Sequence, residues 1–547
     1  MERGMQPDKS RSSVPETQDF RFYLVGGGIA SLAAAVFLIR DGHLSGKNIT
    51  IFEETGKLGG SLDGAGSPED GYVARGGRML ESHYVCTFDL FSAMPALDGS
   101  KTVTHEILAW NELYKTCSHS RLVRGGQKLD SPKFGLSERH RLALVGLALQ
   151  PESTLGESSI KDHFDETFFE TNFWFMWATT FAFQPWHSAV EFQRYLLRFV
   201  HMVPGFNRLE GIMRTVFNQY DSMVRPLSKW LEEHGVNFET NAKLTGILFE
   251  EKKDVKRPAH LILDRAGKRE EIELSSKDFV IVTLGSMTDS SNLGGMDRAP
   301  VWNAEAKGAS WMLWEKIAAS HPEFGKPSVF DGRAGESKWI SFTGTMRDPG
   351  FFRFVRDFSA NVPGEGGLIT FCDSSWLMSI VLPHQPHFIG QPSGVEVFWG
   401  YGLFTDKPGN FVRKPMEACS GREILTELFG HLGLKEDVQR ILDASTCIPC
   451  MMPYITSQFL TRGKGDRPNV IPQGWSNLAF VGQFCEIPGD VVFTVEYSVR
   501  AAQMAVYSLL ELDRTPPAVY KGQHDPAVLF KAFNALHDKP AYQGGIS

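Results

Sequence analysis

Cysteine is scarce in this sequence, and no charge of one sign dominates it. Seven cysteines are spread over 547 residues, and an odd number in so long a chain predicts no disulfide framework. Lys and Arg total 56 against 64 Asp and Glu, which leaves a net charge of −8. This balance excludes a broad basic surface for non-specific nucleic-acid binding.

A set of metal ligands is also missing. Cys447 and Cys450 form a single Cys-x-x-Cys pair, whereas a structural zinc site needs four ligands and no second pair appears. We therefore predict no metal site and interpret these cysteines as structural thiols, with a redox pair as the alternative.

Long hydrophobic runs are absent as well. Residues 171–190 and 374–395 lack Asp, Glu, Lys and Arg, but both contain proline, histidine and amide side chains and are too polar to span a bilayer. Residues 1–19 are polar and contain no apolar signal core, so residues 1–20 are predicted to be a disordered tail. We expect a cytoplasmic protein.

The length and composition are those of a multidomain globular protein. A chain of 547 residues is too long for one hydrophobic core. Hydrophobic residues make up 42% and charged residues 22%, as in ordinary folded proteins. Aromatic residues are abundant, with 40 Phe and 12 Trp. They suit either a core or a large apolar pocket.

The most informative stretch lies near the amino terminus. A short apolar run, Phe22–Val25, is followed by a Gly-rich turn, an Ala-rich helical segment and a second apolar run that ends at Glu53. This order predicts a dinucleotide site, because glycines let the backbone approach a pyrophosphate and an acid after the second strand binds a ribose. The alternative is an ordinary strand-to-helix turn. The candidate ligand residues are Gly26, Gly28, Ala30, Ser31 and Glu53.

Two further segments favour FAD over NAD. Gly60 and Ser61 lie in an acid-then-Gly-Gly segment, and residues 477–483 form a late apolar strand followed by Phe484. Both resemble segments of the amine oxidase and phytoene desaturase superfamily of flavoproteins, in which a late strand returns to close the FAD site. Gly482 and Phe484 are therefore added to the predicted FAD site.

The segment from Arg75 to Met79 contains two arginines around two glycines. Such a segment can pass close to a flavin or its phosphates, so Arg75, Gly76, Gly77, Arg78 and Met79 are predicted to contact the cofactor. A tight turn with surface arginines is the alternative.

We predict an α/β fold with a discontinuous FAD-binding Rossmann-like domain of the GR2 or amine-oxidase type and a mixed α+β substrate domain. An irregular, proline-punctuated segment is expected at residues 447–456. The predicted parts are a tail at 1–20, the FAD domain at 21–90, 235–290 and 476–515, a mostly helical substrate domain at 91–234, its second part at 291–475, and a carboxy-terminal tail or helix at 516–547.

Longer motifs carry a more specific resemblance. Residues 75–78, 173–191, 450–459 and 481–500 resemble the oleate hydratases, formerly called myosin-cross-reactive antigens, and the similarity runs from Phe22 to Leu510. The resemblance implies a hydro-lyase that requires FAD and adds water to a cis double bond of a free fatty acid. Oleate would become 10-hydroxystearate with no net redox change. Rival interpretations are a flavin oxidoreductase or isomerase acting on fatty acids, and a non-catalytic lipid- or flavin-binding protein.

The resemblance also implies roles for individual residues. Tyr195 matches the family's proposed proton donor, and a packed tyrosine with a satisfied hydroxyl is the alternative. The family's proposed water activator is a Glu directly after Gly-Gly-Arg, where this chain has Met79. Because Met cannot accept a proton, Glu81 is the candidate substitute, since residues i and i+2 of an extended segment share a face. A solvated loop acid is the alternative.

Substrate contacts are predicted in two places. Phe175 and Trp177 lie in an aromatic stretch that can line an apolar tunnel or belong to the core. The fatty-acid carboxylate is predicted to bind near Arg462 and the preceding segment, at Tyr454, Thr456, Ser457 and Gln458. We expect a monomer or weak dimer that makes at most transient contact with a membrane surface.

Overall fold

The computed structural model describes residues 19–130, 132–252, 255–303 and 307–539. Most of the predicted tail at residues 1–20 lies outside these ranges. Four sheets and a set of mostly short helices make up the described part of the chain.

The strands are numbered in chain order. They are β1 (Arg21–Val25), β2 (Ile49–Phe52), β3 (Gly64–Ser67), β4 (Gly71–Ala74), β5 (Ser120–Arg124), β6 (Gln127–Asp130), β7 (Asn237–Glu239), β8 (Lys243–Lys252), β9 (Val255–Arg265), β10 (Lys268–Glu273), β11 (Asp278–Thr283), β12 (Asn292–Leu293), β13 (Trp339–Met346), β14 (Leu368–Phe371), β15 (Met378–Val381), β16 (Glu396–Gly402), β17 (Ser445–Met452) and β18 (Leu478–Val481).

The α-helices are numbered in the same way. They are α1 (Ile29–Arg40), α2 (Val85–Ser92), α3 (Val103–Leu113), α4 (Glu138–Leu149), α5 (Glu152–Leu155), α6 (Asn172–Phe181), α7 (Ala189–Arg198), α8 (Arg225–Glu233), α9 (Ala309–Ala318), α10 (Ser328–Asp331), α11 (Ala334–Ser337), α12 (Gly350–Ser359), α13 (Gly421–Leu432), α14 (Val438–Asp443), α15 (Val495–Leu509) and α16 (Pro526–Leu536).

A five-stranded sheet forms the centre of the fold, in the order β18-β11-β1-β2-β7. All of its neighbouring strands pair in parallel. The strands β1, β2, β11 and β18 are mostly apolar, as expected for a parallel sheet covered on both faces, whereas the edge strand β7 is short and partly exposed. The strands come from three distant parts of the sequence, and the predicted strand at residues 477–483 is confirmed as β18 at one edge. With the helices that cover it, this sheet has the predicted α/β, Rossmann-like architecture.

Helix α1 connects the first two strands and packs against α15. Its alanines and its larger side chains Leu32, Val36 and Phe37 are all fully buried, and burying one such large side chain contributes about 1.5–3 kcal/mol. Small residues let the two helices approach closely. No described helix is long and apolar enough to cross a membrane.

An eight-stranded mixed sheet, ordered β12-β17-β13-β16-β15-β14-β5-β6, supports a second apolar core. One prediction was wrong here. The segment expected to be irregular at 447–456 mostly belongs to β17, because β13 pairs with it in register along its whole length despite Pro449. The part predicted to be mostly helical, residues 91–234, also contributes the hairpin of β5 and β6, which pairs with β14.

Strands β8, β9 and β10 form a three-stranded antiparallel sheet. The carboxy-terminal part predicted to be a tail or a helix contains α16.

Candidate functional site

A cavity of about 230 Å³ lies at the carboxyl ends of the parallel strands β1, β2 and β11. Helix α1 begins at this cavity with Gly28 as its N-cap, so its first amide groups can bind an anion there. A Cβ atom added at Gly28 would meet nothing within 4 Å. The predicted cofactor residues on its wall are Gly26, Gly28, Ala30, Glu53, Gly60, Ser61, Arg75, Gly482 and Phe484.

Glu53 is fixed at the mouth of the Gly-rich turn. Its Oε2 accepts a hydrogen bond from the Gly27 amide at 2.7 Å, and its Oε1 accepts from the Thr55 amide at 2.9 Å. A carboxylate held in this way can accept hydrogen bonds from ribose hydroxyls.

Acidic neighbours that sequence reasoning missed share this end of the cavity. Glu54 and Asp289 line the same wall, and burial, followed by the charges of Asp289 and Glu53, raises the pKa of Glu54 to about 7. Asp289 accepts a hydrogen bond from Ser310 at 2.5 Å near the start of α9. Glu54 and Asp289 come together because of the way α9 packs, and no local sequence motif predicts this packing.

The remaining predicted cofactor residues lie outside this cavity. Ser31 is fully buried, and its hydroxyl lies 3.2 Å from that of Thr283, so it packs α1 against β11. Gly76, Gly77, Arg78 and Met79 line neighbouring cavities instead.

Three narrow cavities adjoin one another around Arg78. The phenol cavity, about 70 Å³, includes Tyr195, Glu81 and Tyr84. The middle cavity, about 50 Å³, and the guanidinium cavity, about 30 Å³, both include Arg214. The middle cavity shares wall residues with each of the others, so the three lie side by side between Tyr195 and Arg214. We call this row of neighbouring cavities the path.

Tyr195 lies on α7, which begins at the N-cap Ser188. Its side chain is 1% exposed, and its hydroxyl donates a hydrogen bond to the Val492 carbonyl at 2.5 Å. Burial, followed by the neighbouring Tyr84, raises the pKa of Tyr195 well above its usual value. The phenol therefore stays protonated at neutral pH and can act as a proton donor.

Glu81 lines the same cavity, and three neighbouring side chains already contact its carboxylate. Its Oε1 is 2.6 Å from Arg198 Nη2, and its Oε2 is 2.9 Å from His83 Nδ1 and 3.4 Å from His201 Nε2. Burial opposes the charge, but the hydrogen bonds from His201 and His83 and the charge of Arg198 hold the pKa of Glu81 well below its usual range. A carboxylate with so low a pKa is a weak base.

The ligand atoms of Glu81, His83 and His201 lie within 4.8 Å of one another. No sequence motif indicates this cluster, because His201 is far from Glu81 and His83 in the chain. A cation there would compete with the Arg198 guanidinium for the same carboxylate, and the existing contacts already satisfy Glu81.

Arg78 and Arg214 carry charges that no described carboxylate pairs with. Arg78 reaches the Ser61 carbonyl at 3.5 Å and lies 5.2 Å from the Phe493 ring centroid, and burial lowers its pKa to about 10. Arg214 has buried Nε and Nη2 atoms without a hydrogen-bond partner among the described residues. Burial also lowers its pKa to about 10, so both stay charged at neutral pH.

The guanidinium cavity contains two neutral histidines beside Arg214. Burial, followed by the charge of Arg214, lowers the pKa of His387 to about 4, and burial lowers that of His384. The Arg214 backbone is held by Asn111, which accepts from its amide at 2.8 Å and donates to its carbonyl at 2.7 Å. This end of the path is a fixed, positively charged site.

The six predicted substrate residues do not line these three cavities. Trp177 is fully buried among aromatic rings in the core, and the Phe175 ring lies 5.7 Å from the guanidinium of Arg124. Thr456 donates to the Ser337 carbonyl at 2.9 Å. Tyr454 packs on Trp311, and Ser457 and Gln458 are fully buried.

Arg462 is also engaged elsewhere. It lies 3.0 Å from Glu191 and 3.1 Å from Glu486 in a buried network with Arg194 and Arg467. Glu191 precedes Tyr195 by one turn of α7, so this network holds the helix that carries the phenol.

Cys447 and Cys450 sit three residues apart on β17, so their side chains point to opposite faces of the strand. Cys447 belongs to the second core and Cys450 to the first. Burial raises the pKa of Cys450 to about 11. This placement supports the interpretation as structural thiols.

Comparison with known proteins gives one matching family and close relatives. Residues 19–507 match the model of the MCRA family. An oleate hydratase from Streptococcus pyogenes serotype M49 (strain NZ131) is 41% identical over 95% of this chain and 90% of its own length. A linoleate hydratase from Lactiplantibacillus plantarum is 33% identical over 94% of this chain and 98% of its own.

A solved structure has a similar fold. Cyclohexylamine oxidase from Brevibacterium oxydans IH-35A superposes with a TM-score of 0.51 at 14% identity, covering 91% of this chain and 100% of that one. At this identity the likeness is one of fold alone. It agrees with the predicted amine-oxidase-type architecture.

Proposed function

The chain belongs to the MCRA family, and we propose that it is an FAD-dependent hydratase of unsaturated free fatty acids. The reaction adds water to a cis double bond, so oleate becomes 10-hydroxystearate with no net redox change. One observation carries the proposal: a row of neighbouring cavities lies between the buried Tyr195 phenol and the Arg214 guanidinium, whose Nε and Nη2 atoms have no hydrogen-bond partner among the described residues.

This arrangement meets the chemical demands of alkene hydration. An unactivated double bond needs a proton donor at one carbon and a water at the other, in a site that excludes bulk solvent. Tyr195 supplies the proton donor, and its aromatic neighbours keep the site dry. The cavities are narrow, so side chains on their walls must shift when an acyl chain enters.

The carboxylate end of the substrate is assigned to Arg214 rather than to residues 454–458. A carboxylate beside Arg214 would give its buried N–H groups the acceptors they lack, and such charge-assisted bonds are strong. The neutral His384 and His387 can each donate a further hydrogen bond. Fixing this end sets which chain carbon lies beside Tyr195.

The 230 Å³ cavity is assigned to FAD. The open space at Gly28, the N-terminus of α1 and the anchored Glu53 suit a pyrophosphate and a ribose. When bound, FAD supplies polarity and shape rather than electrons in the net reaction. Arg75, which pairs with Asp63 at 2.7 Å on this wall, would contribute positive charge to the cofactor site.

The deciding experiment is product analysis. Purified protein reconstituted with FAD is incubated with oleate in H₂¹⁸O, and the products are separated by gas chromatography with mass detection. We expect hydroxystearate that carries ¹⁸O at one position. Altered unsaturation without added water would assign an isomerase or oxidoreductase, and unchanged oleate would assign a lipid-binding protein.

We further propose a cytoplasmic monomer that touches membrane surfaces transiently to collect its substrate. Two neighbouring helices support this: α4 exposes Leu142 and Leu149 by 71% and 79%, and α16 exposes Phe530 by 58%. Arg141 on α4 donates to the Leu536 carbonyl of α16 at 3.3 Å, which links the two helices. Light scattering checks the monomer, and co-sedimentation with phospholipid vesicles checks the contact.

A further inference from the structure

Tyr84 brings a second phenol into the cavity of Tyr195. It is the N-cap residue of α2, and its side chain is 4% exposed. The Arg198 guanidinium lies 5.7 Å from its ring centroid, which holds the ring in place. Its hydroxyl makes no hydrogen bond to any described residue, and its side chain lines the phenol cavity.

The other polar side chains on this cavity are engaged or unable to accept a proton. Arg78 is a cation. Thr180 donates to the Met176 carbonyl at 2.6 Å and accepts from Arg121 at 2.7 Å. Thr494 donates to the Val491 carbonyl at 3.0 Å and accepts from the Tyr497 amide at 3.1 Å.

Glu81 is also a poor partner for water. Three neighbouring side chains already bond to its carboxylate and hold its pKa low. Met79, which lines the same wall, has no group that accepts a proton. The cavity volume of about 70 Å³ exceeds the roughly 10–15 Å³ that one water requires.

We propose that Tyr84 holds the attacking water and relays its proton to Tyr195. The inference rests on the hydratase function proposed above. Tyr195 gives its proton to one alkene carbon, and the water oxygen bonds to the other. As that bond forms, the water proton passes to the Tyr84 oxygen while the Tyr84 proton passes to the Tyr195 oxygen.

This relay balances without an external base or an oxidant. One C–H and one C–O bond form, the π bond and one O–H bond of water break, and both phenols end neutral. Burial and the charge of Glu81 raise the pKa of Tyr84, so a relay that never leaves a phenolate at this position fits its surroundings. A phenol can accept and donate at once, which a methionine at residue 79 cannot.

The test compares Tyr84→Phe with Tyr23→Phe in the FAD-loaded full-length protein. Tyr23 is a matched control: it is 8% exposed, its ring stacks on Phe52 at 6.1 Å, and it lines none of the four cavities described. Turnover of oleate, KM, flavin affinity and Tm are measured for both variants and the wild type, and dehydration of 10-hydroxystearate is followed as the reverse reaction.

We expect Tyr84→Phe to lower kcat about 10²-fold in both directions, while KM, flavin affinity and Tm stay at their wild-type values. Tyr23→Phe should keep wild-type kcat. Unchanged turnover in Tyr84→Phe, or a loss accompanied by altered KM, flavin affinity or Tm, would overturn the relay. So would an equal loss in Tyr23→Phe. A wild-type protein that forms no hydroxystearate defeats the hydratase proposal itself, which is a different result.

Discussion

Arg198 and Glu81 form a buried ion pair in the wall of the phenol cavity. Their Nη2 and Oε1 atoms are 2.6 Å apart, and each side chain is 2% exposed. Because Arg198 follows Tyr195 by one turn on α7, the pair links that helix to the loop that carries Met79. The carboxylate therefore orders the site even if it never accepts a proton.

Replacing Glu81 by Gln should lower the free energy of unfolding by about 3 kcal/mol, because it leaves the Arg198 charge buried and uncompensated. Urea denaturation at pH 7 measures this, with Glu138→Gln in the exposed pair with Arg141 as the unaffected control. Turnover of the folded variant should fall less than in Tyr195→Phe. Complete loss of turnover would return Glu81 to the role of water activator.

The same ion pair should make the free energy of unfolding depend on pH. The folded-state pKa of Glu81 lies below its unfolded value, so its contribution is fully present above about pH 4.5 and is lost as pH falls below that value. As the pH is lowered from neutral into the acid range, the free energy of unfolding of Glu81→Gln should therefore fall less than that of the wild type. Equal slopes for wild type and variant in urea titrations at several pH values would contradict this.

Replacing Gly28 by Val should strongly weaken FAD binding without unfolding the protein. The added side chain meets no protein atom near its Cβ and occupies the space assigned to the pyrophosphate. Flavin fluorescence titration measures the affinity. Gly295→Val, where a Cβ also meets nothing within 4 Å, is the matched control; wild-type affinity in Gly28→Val would remove this cavity as the cofactor site.

Replacing Tyr195 by Phe should lower kcat about 10²-fold or more, with little change in oleate binding. Tyr497→Phe is the control, because its buried hydroxyl bonds to the Cys485 carbonyl at 2.7 Å, away from the path. The acid form of Tyr195 exists below its raised pKa, so wild-type activity should not fall between neutral pH and about pH 9 through this group. Turnover that survives Tyr195→Phe would place the proton donor elsewhere.

Replacing Arg214 by Met keeps the length of the side chain and removes its charge. Losing charge-assisted hydrogen bonds worth about 1.5–3 kcal/mol should raise KM for oleate roughly 10- to 100-fold. The variant should also lose the preference for oleate over methyl oleate. Arg139→Met, at an 82% exposed surface arginine, should change neither; a retained preference for the free acid in Arg214→Met would move the carboxylate site.

Replacing Met79 by Glu should raise turnover about 10-fold, because it restores a carboxylate beside the water site. A buried carboxylate without partners would be costly, but Arg78 lines the same two cavities as residue 79 and has no described carboxylate partner. The control is Met79→Gln, because it adds a polar side chain of the same size without a negative charge. No gain in a folded, FAD-loaded Met79→Glu protein would mean that Tyr84 or another group already activates water as well as a carboxylate can.

Local features of the sequence determined much of the fold. Residues 22–53 contain, in order, a strand, a Gly-rich turn, a helix, a second strand and an acid. This order follows from hydrophobic periodicity and from glycine at a turn, which are short-range properties of the sequence. The one failure in the fold, at residues 447–456, also has a physical reason. Pro449 marked an irregular segment, yet β13 holds it in a strand; the hairpin at β5 and β6 is stable because β14 pairs with it.

What the sequence determined by itself was the order of the cofactor-binding motif and the presence of Tyr195, Met79 and Glu81 as candidates, because each belongs to a motif contiguous in the chain. Only the tertiary structure decided that the Nε and Nη2 atoms of Arg214 have no hydrogen-bond partner among the described residues, that Tyr84 lines the cavity of Tyr195, and that Arg462 pairs with Glu191 and Glu486. The reason is that burial and hydrogen-bond satisfaction depend on residues far apart in sequence, which only packing brings together.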